Sequence, residues 1–67
     1  MEFKISGDFI KFDSLLKACN IVSSGGEAKI LIQNGEFSVN GETETRRGRK
    51  LYKGDTVSGC GEEITVM

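Results

Sequence analysis

Five basic residues fall within eight positions: Arg46, Arg47, Arg49, Lys50 and Lys53, with no acid among them. Three arginines this close set like charges side by side, a cost that an anion relieves. Each guanidinium also presents a planar fork of donors that matches phosphate or carboxylate oxygens. The rest of the chain is acidic. Residues 1–45 hold four lysines against seven acids, residues 54–67 hold three acids and no base, and the net charge is −1. Anion binding follows local potential more closely than net charge. The bland reading of the same run is a solvated loop, or an edge strand protected from aggregation by its charges.

A second anion feature lies upstream. Ser24-Gly25-Gly26-Glu27 fits a capping box, in which the Ser24 oxygen accepts from the Glu27 amide and the Glu27 carboxylate reaches back to the Ser24 amide. The amides of Gly25 and Gly26 then lack intrahelical partners, and the helix dipole adds roughly half a positive charge there. Glu27 competes for that position with its own charge, and ordinary capping without a ligand is the simpler alternative. Lys17 and Lys29 are expected on outer helix faces, where a lone lysine is ordinarily only solvated. The functional proposition is convergence: with helices and basic loop on one side, Lys17, Lys29, Arg46, Arg47, Arg49, Lys50 and Lys53 form a single patch beside Ser24, Gly25 and Gly26.

Catalytic chemistry finds little support. The chain has no histidine, which removes histidine-based triads and histidine metal ligands. Gly48-Arg49-Lys50 lacks the earlier glycine of a Walker loop, and Gly59-Cys60-Gly61 lacks the third glycine and the βαβ setting of a dinucleotide fingerprint. The acids are scattered among caps, turns and surfaces. No enzymatic activity, cofactor, metal or small-molecule substrate is therefore expected. Cys19 and Cys60 form no Cys-x-x-Cys pair and are expected to stay reduced, Cys19 as a small core residue and Cys60 near a turn. No apolar run approaches the ~20 residues of a membrane span. Met1-Glu2-Phe3-Lys4 lacks the pattern of a signal peptide, so the expectation is a cytoplasmic protein without a membrane partner.

Short elements must position these groups, because 67 residues allow one hydrophobic core. Phe3 and Ile5 alternate with Glu2, Lys4 and Ser6, which predicts a half-buried strand; Gly7-Asp8 breaks it and Ile10 turns back inward. Residues 13–20 read as a short helix capped by Asp13 or Ser14, with Leu15, Leu16 and Cys19 on its inner face. A second helix spans about 25–34. Ala28, Leu31 and Ile32 face inward, Ile30 lies off that face, and Gly35 ends the helix in the left-handed conformation. Phe37 and Val39 then alternate with polar residues, and Asn40-Gly41 predicts a type I′ hairpin turn. Residues 42–47 return as a strand into the basic loop. Leu51 re-enters the core, with Tyr52 a candidate to follow it. After a turn at Gly54-Asp55 come a strand at 56–58, a turn at 59–61 and a last strand at 62–66. The sum is an α+β domain, two short helices packed on a small, mostly antiparallel sheet.

Three segments carry a family resemblance: Phe12-Asp13-x-Leu15-Leu16-Lys17; Ser24-Gly25-Gly26-Glu27-Ala28-Lys29-x-x-Ile32-x-x-Gly35-x-Phe37-x-Val39-Asn40-Gly41; and Arg46-Arg47-Gly48-Arg49-Lys50-Leu51-x-x-Gly54-Asp55-x-Val57. Together they resemble the S-four RNA-binding domain, named after the fourth protein of the small ribosomal subunit, and the resemblance covers residues 10–57. The Ser-Gly-Gly-Glu-Ala-Lys and Arg-Arg-Gly-Arg-Lys-Leu runs are similar to its small stand-alone bacterial members. The resemblance implies an αL motif, two helices followed by a strand and loop. It also implies binding of structured RNA, such as ribosomal RNA or ribosomal particles, without chemistry of its own. In larger relatives the same domain delivers a catalytic domain to RNA, for which this chain has no room. Many members carry arginine where this chain has Gly25, which shifts the expected contacts toward the backbone and the basic loop. Lys17, Ser24, Gly25, Gly26, Lys29, Arg46, Arg47, Arg49, Lys50 and Lys53 are the RNA-binding candidates, reading shape and phosphates more than bases. Tyr52 is the only tyrosine and the four phenylalanines read as structural, so base stacking is not expected. The alternative reading is a protein-interaction module whose basic loop meets an acidic partner.

Overall fold

Alternating apolar residues and left-handed turns build the sheet in the computed structural model, which describes residues 1–67. Strand β1 (Glu2–Phe3) precedes β2 (Ile10–Lys11), and helices α1 (Phe12–Ala18) and α2 (Gly25–Gln33) follow. The remaining strands are β3 (Phe37–Val39), β4 (Glu42–Thr43), β5 (Lys50–Leu51), β6 (Thr56–Gly59) and β7 (Glu62–Val66). Five of the seven strands form one sheet in the order β1-β7-β6-β3-β4, and β2 pairs with β5 in a separate ladder. Only the β1–β7 pair is parallel. The expected α+β class and mostly antiparallel sheet are therefore present.

Two turns of the same kind close the hairpins. Asn40 (φ 52°) and Gly41 (φ 87°) join β3 to β4, and Cys60 (φ 50°) and Gly61 (φ 77°) join β6 to β7. Positive φ at both central residues matches the right-handed strand twist. The register then sets Val39 opposite Val57, and Val57 opposite Ile64. All three side chains are buried and fall on one face of the sheet, since side chains alternate with a period of two.

Burial explains why the helices persist. A seven-residue helix is marginal in water. In α1, however, Phe12, Leu15 and Leu16 are all fully buried, each worth roughly 1.5–3 kcal/mol relative to exposure. The Phe12 ring meets that of Phe37 edge-on, with centroids 5.9 Å apart, and so ties α1 to β3. Ala28 and Ile32 bring α2 into the same core, with Leu31 half-buried. The C-terminus of α2 forms the anticipated left-handed end. Gly35 (φ 77°) donates to the Ile32 carbonyl, and Glu36 donates to the Leu31 carbonyl, the paired bonds of a Schellman motif.

Four expectations need correction. Helix α1 begins at Phe12, so Asp13 lies inside its first turn, where Asp13 Oδ1 accepts from the Ser14 amide at 2.8 Å, and neither Asp13 nor Ser14 is the N-cap residue. Lys11 is the N-cap residue, with no side-chain bond, because carbonyls from a distant loop supply the acceptors instead. The Glu27 carboxylate reaches the amide and hydroxyl of Ser23, at 2.7 and 3.3 Å, and not the Ser24 amide. The strand expected over 42–47 stops at Thr43, where the next side chain turns inward. Tyr52 stays outside, half exposed.

The backbone is most crowded at Gly59, which lies opposite Phe37 at the end of β6. Its φ is 154°, and a Cβ there would run into the Glu36 carbonyl oxygen and come within 2.5 Å of Phe37 Cδ1. Gly59→Ala is expected to cost about 1–3 kcal/mol through overpacking and backbone strain. For a domain of this size that amounts to a fall in melting temperature on the order of 5–20 °C, checked by thermal denaturation followed by circular dichroism.

Candidate nucleic-acid interface

One buried carboxylate organises the basic loop. The Glu44 amide donates to the Phe37 carbonyl at 3.1 Å, which holds the residue against β3 as its side chain folds in. Glu44 is 6% exposed and is the only buried charged residue. Its Oε2 accepts from the Thr45 amide, the Arg46 amide and Arg46 Nε at 3.0, 3.0 and 3.1 Å. Its Oε1 accepts from Arg46 Nη2 at 3.1 Å and Arg49 Nη1 at 2.9 Å. Hydrogen bonding from Arg46 is the largest influence on its acidity. Burial opposes it, and donors from Arg49 and the Arg46 amide reinforce it, so the carboxyl is held down at about 2 against an ordinary 4.5.

The loop's carbonyls point the other way. Phe12 donates to the Arg49 carbonyl at 2.9 Å and Asp13 to the Arg47 carbonyl at 3.1 Å. The first free amides of α1, which a side chain would normally cap, are thus satisfied by the arginine loop itself. Arg49 also donates to the Arg46 carbonyl at 3.3 Å, closing the turn around Gly48. The loop is clamped between a carboxylate beneath and a helix end beside it, so its side chains project from a fixed frame.

Its charges divide into two groups. The only two ion pairs in the chain both end on Glu44 and engage Arg46 and Arg49. The Arg46 side chain nevertheless remains 77% exposed, with an outer edge free for another acceptor. Arg47, Lys50 and Lys53 are exposed and unpaired. Lys53 rides a turn that Asp55 pins. The Tyr52 amide and Asn40 Nδ2 donate to the Asp55 carboxylate at 2.8 and 3.0 Å, and the Thr56 amide donates to Asn40 Oδ1 at 2.9 Å. Burial pushes the Asp55 carboxyl up. The Tyr52 and Asn40 donors and the Arg49 charge outweigh it, leaving a net lowering.

Lys11 joins this group, a residue that the sequence did not single out. In the β2–β5 ladder Ile10 lies opposite Leu51, and Lys11 opposite Lys50. The apolar pair turns inward and both lysines are exposed. Like charges directly opposite each other are destabilising, so this pair too favours an anion. Glu44 cancels one positive charge of the loop, and Lys11 restores one beside it.

The glycine-led start of α2 keeps its own donors. Ser24 Oγ accepts from the Glu27 amide at 3.2 Å, so this hydroxyl is engaged in capping. The Gly25 and Gly26 amides donate to nothing within the chain. The linker before them folds back on the last turn of α1, with Ile21 and Val22 donating to the Leu16 carbonyl. The arginine loop sits at the first turn of α1, where its carbonyls accept from the Phe12 and Asp13 amides. Lys17 is exposed on the last turn of α1 and Lys29 on α2, neither in an ion pair. The structure thus gathers Arg46, Arg47, Arg49 and Lys50 with Lys11 around the first turn of α1.

The class of protein follows from comparison with known families. The S4 domain model matches residues 3–67, and the chain belongs to the S4 domain family, the S-four family of the sequence motifs. This is an RNA-binding domain family, typically non-catalytic. Among its relatives is the "Probable ribosome maturation protein RlbA" of Bacillus subtilis (strain 168), 43% identical over 53 residues that cover 79% of this chain and 75% of that protein. The "Putative RNA-binding protein YbcJ" of Escherichia coli (strain K12) is 38% identical over 58 residues, which cover 87% of this chain and 83% of that one.

Removing the organising carboxylate tests the arrangement. Glu44→Gln is expected to lower stability at neutral pH by about 1–3 kcal/mol, since amides and guanidiniums lose a charged acceptor. Because folding depresses this carboxyl, its contribution is complete above the ordinary 4.5 and is lost as pH falls toward about 2. Urea denaturation across that window should show the gap between wild type and Glu44→Gln narrowing as the solution is acidified.

Proposed function

We propose that this chain is a non-catalytic RNA-binding protein that holds structured RNA, ribosomal RNA or ribosomal particles, by its phosphate backbone. The observation that carries the reading is the arginine loop, locked from one side by Glu44 and from the other by the α1 amides. A floppy basic segment must be ordered when it binds; a clamped one has already met that cost in folding. Arg47, Lys50, Lys53 and Lys11 supply unpaired charge, and Arg46 and Arg49 offer the donors that Glu44 leaves free. The free amides of Gly25 and Gly26, with the exposed Lys17 and Lys29, are further donors for phosphate. Contacts of this kind fix register and orientation without reading bases, which suits recognition of RNA by shape. The names of the relatives, one a ribosome maturation protein and one an RNA-binding protein, support the same partner.

If four to five phosphates are engaged, log K should fall with log salt at a slope of roughly −3 to −5. The combined Arg47→Ala, Lys50→Ala and Lys53→Ala variant spares the Glu44 network and should flatten that slope by about 2–3. Fluorescence anisotropy with a labelled ribosomal RNA fragment measures both. An unchanged slope would move the contact away from this loop. Copurification with ribosomal particles should be lost after RNase treatment; a complex that survives would point to an acidic protein partner.

A further inference from the structure

Two aromatic side chains are left over from the core. Phe12 and Phe37 are fully buried and Phe3 is half-buried, whereas Phe9 is 39% and Tyr52 50% exposed. They are brought together by the ladder that aligns the lysines: Phe9 immediately precedes β2, Tyr52 immediately follows β5, and Ile10 lies opposite Leu51. Their ring centroids are 6.2 Å apart with planes inclined at 52°. Lys50 Nζ stands 4.8 Å from the centre of the Phe9 ring. An open cavity of about 250 Å³ lies alongside, lined by Phe9 with Phe3, Ile10, Ser6, Gly7 and Lys4 among its walls.

We propose that Phe9 and Tyr52 receive an unpaired nucleobase of the RNA whose phosphates the arginine loop holds. The inference rests on the RNA-binding reading and adds a contact that the sequence argued against. Three features of the place favour a nucleotide over an apolar protein side chain. Every base offers a π-face to an exposed aromatic ring, whatever the sequence. The surroundings carry more bases than acids: Lys4 lines the cavity, Lys11 and Lys50 form the adjoining cross-strand pair, and Lys53 follows Tyr52, against the Asp55 carboxylate bound to the Tyr52 amide. Asp8 is the one acid in the stretch from Lys4 to Lys11. Finally, Lys50 belongs to both sites, since its ammonium lies over Phe9 while its backbone continues from the loop. A strand tracked by the loop arginines reaches Lys50 and then the rings, where one splayed base covers apolar surface now facing water.

The test compares a stem-loop RNA carrying unpaired nucleotides with a fully paired duplex of the same length. Phe9→Ala and Tyr52→Ala should each weaken stem-loop binding about 5- to 100-fold and leave duplex binding and the salt slope unchanged. Tyr52→Phe should retain affinity, which separates loss of the ring from loss of the hydroxyl. Tyr52 is the only tyrosine and there is no tryptophan, so intrinsic fluorescence of the wild type reports on this ring directly and should be quenched as the stem-loop saturates. Unchanged emission at saturation, or alanine variants that bind the stem-loop as tightly as wild type, would overturn the stacking contact alone. A wild type that binds neither RNA would overturn the phosphate reading and this inference with it.

Discussion

The carboxylate of Glu44 is the interaction on which the basic surface depends. An ionised carboxylate taken out of water is costly unless its lone pairs are filled. Here five donors fill them, two backbone amides and three guanidinium N–H groups. No buried side-chain polar atom in the chain is left without a partner. The arrangement specifies shape more than it adds stability, since surface-facing arginine pairs contribute modestly. It bends the chain out of β4, turns two arginines back toward one point, and so aims the loop's carbonyls at α1.

That aim links the loop to the hydrophobic core. The Arg47 and Arg49 carbonyls satisfy amides at the start of α1, and the first residue of that helix, Phe12, is fully buried against Phe37. A displaced loop would leave helix amides unpaired next to the core, at a cost on the order of 1–3 kcal/mol for each buried group. The positive end of α1 is consequently spent on protein carbonyls, while that of α2 keeps its Gly25 and Gly26 amides free. The two helix starts thus differ: that of α1 anchors the loop, and that of α2 is capped by Ser24 with two glycine amides unpaired.

Membership in the S4 domain family accords with a body that is acidic overall and cationic in one region. A net charge of −1 gives little general attraction to polyanions, so affinity must come from local geometry. The β2–β5 ladder concentrates it further by setting Lys11 against Lys50. The same ladder places Phe9 beside Tyr52, so a two-residue strand pair positions both charge and exposed aromatic surface.

Local pattern was enough for much of the fold. The alternation at Phe37 and Val39, the Asn40-Gly41 turn, the Ser24 cap and the Gly35 helix end are all determined by residues within a few positions of one another, which is why the sequence displays them. The cluster from Arg46 to Lys53 and the free glycine amides were legible for the same reason. What escaped depends on residues far apart in the chain. The cap of α1 comes from carbonyls more than thirty positions downstream, Lys11 gains its role from a strand partner near residue 50, and Phe9 meets Tyr52 only across that ladder. Glu44 was the hardest to see, because an acid beside a hairpin ordinarily faces water. Sequence alone determined most of the groups that could hold an anion; tertiary packing added Lys11 and decided which of them are neutralised, which are clamped, and which aromatic rings are left in solvent, because burial and pairing between distant segments are properties of the assembled core.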